Sequence, residues 1–136
     1  MFHGFNVLLH LINIYLVFKF TDKIFKDTKI ALFSTLLFAV HPLRVESVAW
    51  ISETKDLLFT FFALLSFLTY VKFIENRNYK YFAITAILIL LSSMSKIQGW
   101  IIPFSLILID IYFERKITFY LILEKIFIFL IITFLY

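Results

Sequence analysis

The chain has no cysteine and only two glycines and two prolines in 136 residues. Without thiols there is neither a disulfide framework nor a thiolate metal site, and thiol usage says nothing of the redox compartment. Scarce glycine excludes a glycine-rich phosphate loop, and the chain shows no internal repeat and no low-complexity linker. Charge is sparse too, at 16% of residues, and the net +4 is scattered at the ends of apolar runs. Basic residues placed in that way orient membrane helices, so nucleic acid is not an expected partner.

What fills the chain is apolar. Hydrophobic residues make up 62% of it and aromatics 21%, too much for burial in a water-soluble core of this size. The surrounding medium is therefore membrane lipid. Apolar runs alternate with short charged clusters over the whole length, which predicts an all-α, polytopic transmembrane bundle of about six segments. They fall at 4–20, 26–40, 56–73, 81–94, 100–113 and 117–136. The runs are too long and too continuously apolar for the strands of a membrane barrel. Several are shorter than the roughly 20 residues that span about 30 Å of hydrocarbon, so bundled neighbours and flanking lysines must make up the difference. The amino terminus is no cleavable signal, because it lacks a basic leader and Asn6, His10 and Asn13 interrupt its apolar core.

Orientation follows from the basic residues. "KFTDKIFKDTK" (19–29), "KFIENRNYK" (72–80) and "ERK" (114–116) place nine of them on one side, against Arg44, Lys55 and Lys96 on the other, with Lys125 unassigned. The richer side is expected to be cytoplasmic. Met1 then starts outside, and the last segment has no closing basic cluster, so the chain reads as a single membrane domain, 1–136, that lacks an upstream helix and outer loop.

Polar chemistry concentrates in "HPLRVESVAWISETKD" (41–56). Pro42 ends the second segment after about 15 residues, a rise of about 22 Å, which places the start of the loop below the outer surface. Two readings stand side by side: a recessed, outward-facing pocket lined by these charges, or an ordinary solvated loop. In the first, Arg44 or Lys55 grips a phosphate, while Asp56 or Glu46 holds a divalent cation or an acceptor hydroxyl. In the second, Asp56 merely caps the third helix. His3, Asn6, His10 and Asn13 share one face of the first segment, either joining it to a neighbour or lining the same pocket. Two histidines seven apart do not by themselves define a metal site. Lys96, in "SSMSKIQGW" (92–100), either binds an anionic head group or reaches lipid phosphate as interfacial lysines do. Asp110 is expected to approach Arg115 or Lys116, and Glu124 and Lys125 to face protein or snorkel, all as structural groups.

"NVLLHLIN", "LLFAVHPLRVESVAWISETKDLLFTFFALLSFLTY", and "SSMSK" followed by "PFSLILID" resemble the membrane core of the C-type glycosyltransferase superfamily. The closest likeness is to its tetratricopeptide-repeat-containing membrane proteins of the O-mannosyltransferase type. Two departures are Ile97, where the family has Pro, and Ile111, which intervenes between Asp110 and Tyr112. The resemblance implies a glycosyltransferase that moves a sugar from a polyprenyl or dolichyl phosphate carrier to a protein hydroxyl on the outer or lumenal face. It implies a bacterial inner membrane or endoplasmic reticulum membrane. It also implies catalytic roles for Asp56 and Glu46, carrier-phosphate binding by Arg44, Lys55 and Lys96, and a pocket lined by His41, His10 and Asn13. The family's principal catalytic loop is not within this chain, which therefore reads as a partial enzyme. A non-catalytic membrane scaffold or truncated gene product is the alternative. A small transporter is disfavoured because the charges hug the segment ends.

Overall fold

A computed structural model of the chain describes residues 2–42, 54–116 and 118–135. Among the described residues every regular element is helical. The helices are α1 (Phe2–Phe25), α2 (Thr28–Val40), α3 (Thr54–Asn76), α4 (Tyr79–Ser95), a 3-10 turn (Ile97–Ile101), α5 (Ile102–Tyr112) and α6 (Phe119–Leu135). At ~1.5 Å rise per residue, the 24 residues of α1 and 23 of α3 exceed the ~30 Å of hydrocarbon. Among the described residues these are the two helices long and apolar enough to cross a membrane, over Gly4–Phe25 and Thr54–Asn76. The 13 residues of α2 fall short of that thickness.

The helices coincide with the apolar runs, with two differences of substance. The first helix continues five residues beyond 20, through much of the expected loop at 19–29, and the turn after it contracts to Lys26 and Asp27. Two local devices account for this. Lys26 takes a left-handed backbone (φ 51°) and its N–H donates to the Asp22 carbonyl at 2.8 Å, closing α1. Asp27 then caps α2 by accepting from the Lys29 N–H at 2.8 Å. The next turn repeats the arrangement. Arg77 (φ 53°) closes α3 on the Phe73 carbonyl, and Asn78 caps α4 through the Lys80 N–H. Two residues suffice to join antiparallel helices in both places.

At the other end α2 stops at Val40. His41, held extended by the following proline (ψ 127°), terminates it as expected. The fifth run differs from expectation at its start, where a 3-10 turn precedes α5 and Pro103 sits in its first turn. Gly99 makes the turn possible. A Cβ there would lie 2.6 Å from the Ser93 Cα, so only glycine lets this backbone press onto α4.

Helix α3 is the centre of the bundle. It packs along α4 and against α1, while α2 lies on α1, and α6 reaches α4 and α5. Small and hydroxylated residues make the close approaches. Ser92 donates to the Phe59 carbonyl at 3.0 Å, and the hydroxyls of Thr69 and Thr85 meet at 2.8 Å. The apolar core gathers around Tyr70, Phe73, Ile89, Leu106 and Ile132. Outward the polarity is inverted relative to a water-soluble protein. Phe33, Leu36, Val40, Leu130 and Phe134 are exposed, whereas Asn6, Asn13, Ser66, Thr85 and Ser92 are fully buried. An apolar exterior around a hydrogen-bonded polar interior suits lipid as solvent.

Candidate functional site

The up-and-down path brings the start of α1, the end of α2, the start of α3 and the end of α4 to one end of the bundle. Here Asp56, in the first turn of α3, accepts from the Lys96 ammonium at 2.6 Å, across forty positions of sequence. The geometry has a local cause. Lys96 is the extended residue between α4 and the 3-10 turn, and its N–H still donates to the Ser92 carbonyl. Both side chains are about a quarter to a third exposed (24% and 33%), so the pair is only partly desolvated. The Asp56 carboxylate therefore has a more specific partner than the helix dipole alone.

Behind this pair lies the polar face of α1. Asn6 accepts from the Thr54 hydroxyl at 2.8 Å, and Asn13 donates to the Leu57 carbonyl at 3.0 Å, so both asparagines tie α1 to the first turn of α3. His10 turns toward α2, with Nε2 3.4 Å from the Ala39 carbonyl and its ring stacked on Phe38. The stripe thus joins helices. Among the described residues, two of its buried atoms nevertheless have no hydrogen-bond partner, His10 Nδ1 and Asn13 Oδ1.

Of the other residues singled out from the sequence, His41 and Lys55 are exposed at this end. Arg44 and Glu46 lie outside the described residues, as does the rest of 43–53. Among the described residues no three acidic or histidine side chains converge as a metal cage. A divalent cation on Asp56 would have to displace the Lys96 ammonium.

At the opposite end is a cluster whose centre sequence reasoning missed. Asp110 meets Arg115 at 3.0 Å as expected, but the hub is Tyr70, fully buried on α3. Its hydroxyl donates to Asp110, 2.8 Å from Oδ1, and accepts from Arg115 Nη1 at 3.0 Å and Lys125 Nζ at 2.6 Å. One donor and two lone pairs are a phenol's full complement. Lys125 also pairs with Asp110, and Arg115 Nη1 reaches Glu124 at 3.2 Å. Two cations and two carboxylates balance. Glu124 and Lys125 face protein, and neither snorkels. Burial works against the Arg115 cation, but Tyr70, Asp110 and Glu124 outweigh it and raise its pKa. The hints in the sequence were the expected approach of Asp110 to Arg115 and the adjacent Glu124 and Lys125 inside an apolar run; nothing local marks Tyr70.

Mouse protein O-mannosyl-transferase TMTC1 is 39% identical over 76 residues, covering 55% of this chain and 8% of that protein. The Caenorhabditis elegans protein O-mannosyl-transferase F38B6.6 is 35% identical over 103 residues, 72% of this chain and 14% of that protein. Human protein O-mannosyl-transferase TMTC3 is 31% identical over 101 residues, 72% of this chain and 11% of that protein. The chain thus spans about a tenth of the length of the curated relatives it matches. No solved structure matches it. The family model described as dolichyl-phosphate-mannose-protein mannosyltransferase matches residues 4–136, and a match over nearly the whole of this integral membrane chain means that it belongs to that family.

Proposed function

We propose that this chain is the partial core of a membrane mannosyltransferase, which takes mannose from a dolichyl or related polyprenyl phosphate and passes it to a protein hydroxyl. The observation that carries the reading is the Asp56–Lys96 pair, half-open at the end of the bundle where the family-like loop 41–56 begins and ends. In this reading all six helices cross the membrane, the Asp56 end faces outward or into the lumen, and the turns at Lys26 and Arg77 face the cytoplasm. The short α2 sets His41 and Pro42 below the outer surface, and the surrounding helices compensate for its length.

The chemistry follows from charge. When the acceptor oxygen bonds to the sugar's anomeric carbon, the bond from that carbon to the carrier phosphate breaks, and the carrier departs with an added negative charge. Lys96, joined by Arg44 and Lys55, stabilises that charge. Asp56 or Glu46 takes the hydroxyl proton. As the phosphate arrives it competes with Asp56 for the Lys96 ammonium and frees the carboxylate for the acceptor. His41, His10 and Asn13 shape the pocket wall.

The test is mannose transfer by the full-length protein. Asp56→Asn and Lys96→Gln should each lower transfer by at least about 100-fold, in the range for loss of a general base or a charge-stabilising group. Unchanged transfer in both would remove the pair from the site. A second reading, a non-catalytic scaffold, draws on the way Asn6 and Asn13 bind α1 to α3. Under it the same substitutions would lower thermal stability and leave binding of the lipid-linked sugar untouched.

A further inference from the structure

At the Arg115 end, the turn after α5 and the start of α6 enclose, with the end of α3, a cavity of about 540 Å³. We propose that this cavity is a binding site for the phosphate head group of an anionic phospholipid in the leaflet opposite the Asp56 end. Its cytoplasmic placement rests on the topology proposed above; its chemistry does not.

Arg115 carries the argument. Its side chain is 93% buried, being 7% exposed, and it lines the cavity. Among the described residues the three hydrogen bonds of its guanidinium, to Tyr70, Asp110 and Glu124, all leave from Nη1. Among the described residues Nη2 and Nε donate to no protein group. A guanidinium held by one nitrogen presents its remaining edge, and two parallel N–H donors on such an edge match two phosphate oxygens. Its charge is already balanced within the Tyr70 cluster, so the mouth decides the sign of the ligand. There Arg77 and Lys116 stand against Glu114, all exposed, which leaves one excess positive charge. Glu124, the other carboxylate lining the cavity, is engaged by Arg115.

The walls separate a lipid from a free anion. Phe73, Ile74, Phe113 and Leu121 line the same cavity as the cations, so a bound phosphate would have apolar surface beside it. Tyr79 and Tyr120, 65% and 69% exposed, flank the opening. Amphipathic rings of this kind settle at head-group depth. Basic pockets between helices at that depth suit anionic head groups.

The experiment uses the full-length protein in nanodiscs, of phosphatidylcholine alone or of phosphatidylcholine with phosphatidylserine, and native mass spectrometry to read the retained lipid. One retained phosphatidylserine is expected. Arg77→Asn with Lys116→Gln should reduce retention roughly tenfold or more, the size that two cations near an anionic lipid provide. Arg115→Lys keeps a cation in the Tyr70 cluster but loses the second guanidinium edge, and it should also lose retention while the protein stays folded. A control, Lys19→Gln with Lys29→Gln, removes the same charge from the same side of the bundle and should leave retention intact. Equal loss in that control, or no preference for phosphatidylserine in the unaltered protein, would overturn the proposal. Displacement by inorganic phosphate would make it a site for a free anion and overturn the lipid assignment. Thiol labelling of Thr118→Cys from one side of the membrane, read against the unaltered protein, reports the topology separately, so a wrong orientation would not be mistaken for a missing site.

Discussion

Tyr70 and Lys125 stand fifty-five positions apart in the chain, yet the phenol oxygen accepts from the ammonium at 2.6 Å, and the same ammonium lies 4.3 Å from the centre of the Tyr70 ring. One residue on α3 thus holds the charged first turns of α6, and through Asp110 the last turn of α5. A single neutral hydroxyl serves three ionic groups, so each depends on it more than an isolated pair would.

Replacing Tyr70 by Phe keeps the ring and removes the hub. The hydrogen-bonding positions of Asp110, Arg115 and Lys125 then lose a shared partner inside the bundle, and the expected cost is about 1–3 kcal/mol. Thermal unfolding in detergent, read against the unaltered protein, measures it. No change in midpoint would mean that the four charges satisfy one another without the phenol.

Asp110→Asn should be more damaging, at about 3–5 kcal/mol, because it leaves Arg115 and Lys125 sharing only Glu124. Glu75→Gln is the contrast. Its 2.8 Å pair with Lys23 is 43% exposed on the glutamate side, and solvent screening holds such a pair to below about 1 kcal/mol. Side-by-side denaturation of the two variants checks the ranking, and equal effects would contradict it.

Gly99→Ala tests the close approach of the 3-10 turn to α4. The added methyl would sit 2.6 Å from the Ser93 Cα, so the turn must move. Overpacking of this kind costs about 1–3 kcal/mol. Because Lys96 is three residues away, the shift should also weaken its pairing with Asp56, and the sharper readout is altered reactivity of Lys96 toward an amine-directed label.

Lys26→Gly should do the opposite. Lysine there occupies left-handed backbone (φ 51°), which costs an L-residue roughly 1–2 kcal/mol and glycine almost nothing. After allowance for the greater freedom of glycine in the unfolded chain, a gain of roughly 0.5 kcal/mol is expected. Lys26→Val, β-branched and worse at positive φ, should lose stability; a gain with Val would refute the backbone explanation.

Asn13→Leu would fill the same space without the hydrogen bond to Leu57. Interhelical bonds of this type in lipid are worth about 0.6 to 2 kcal/mol, and the lack of a partner for Asn13 Oδ1 among the described residues argues for the lower half of that range. Stability that rises on substitution would show that the asparagine is retained for the pocket rather than for the bundle.

The class of the protein was determined by composition. Continuous apolar runs allow only lipid as solvent, and in lipid the backbone must satisfy itself within helices, so the all-α character and the approximate positions of the helices were legible from the chain. So were the stop at Pro42, the shared face of Asn6, His10 and Asn13, and the approach of Asp110 to Arg115, because each depends on local geometry or on neighbours close in sequence. The length of α1 was not legible. A run of charges resembles a loop, and only the left-handed turn at Lys26 and the cap at Asp27 show how few residues the reversal needs. The pairings of Asp56 with Lys96 and of Tyr70 with Lys125 belong to the tertiary structure alone. Each joins residues forty or more positions apart, and which side chains meet depends on how α3 is rotated against α4 and α6. That rotation is set by small residues packing at helix interfaces, a signal that an apolar sequence carries only in three dimensions.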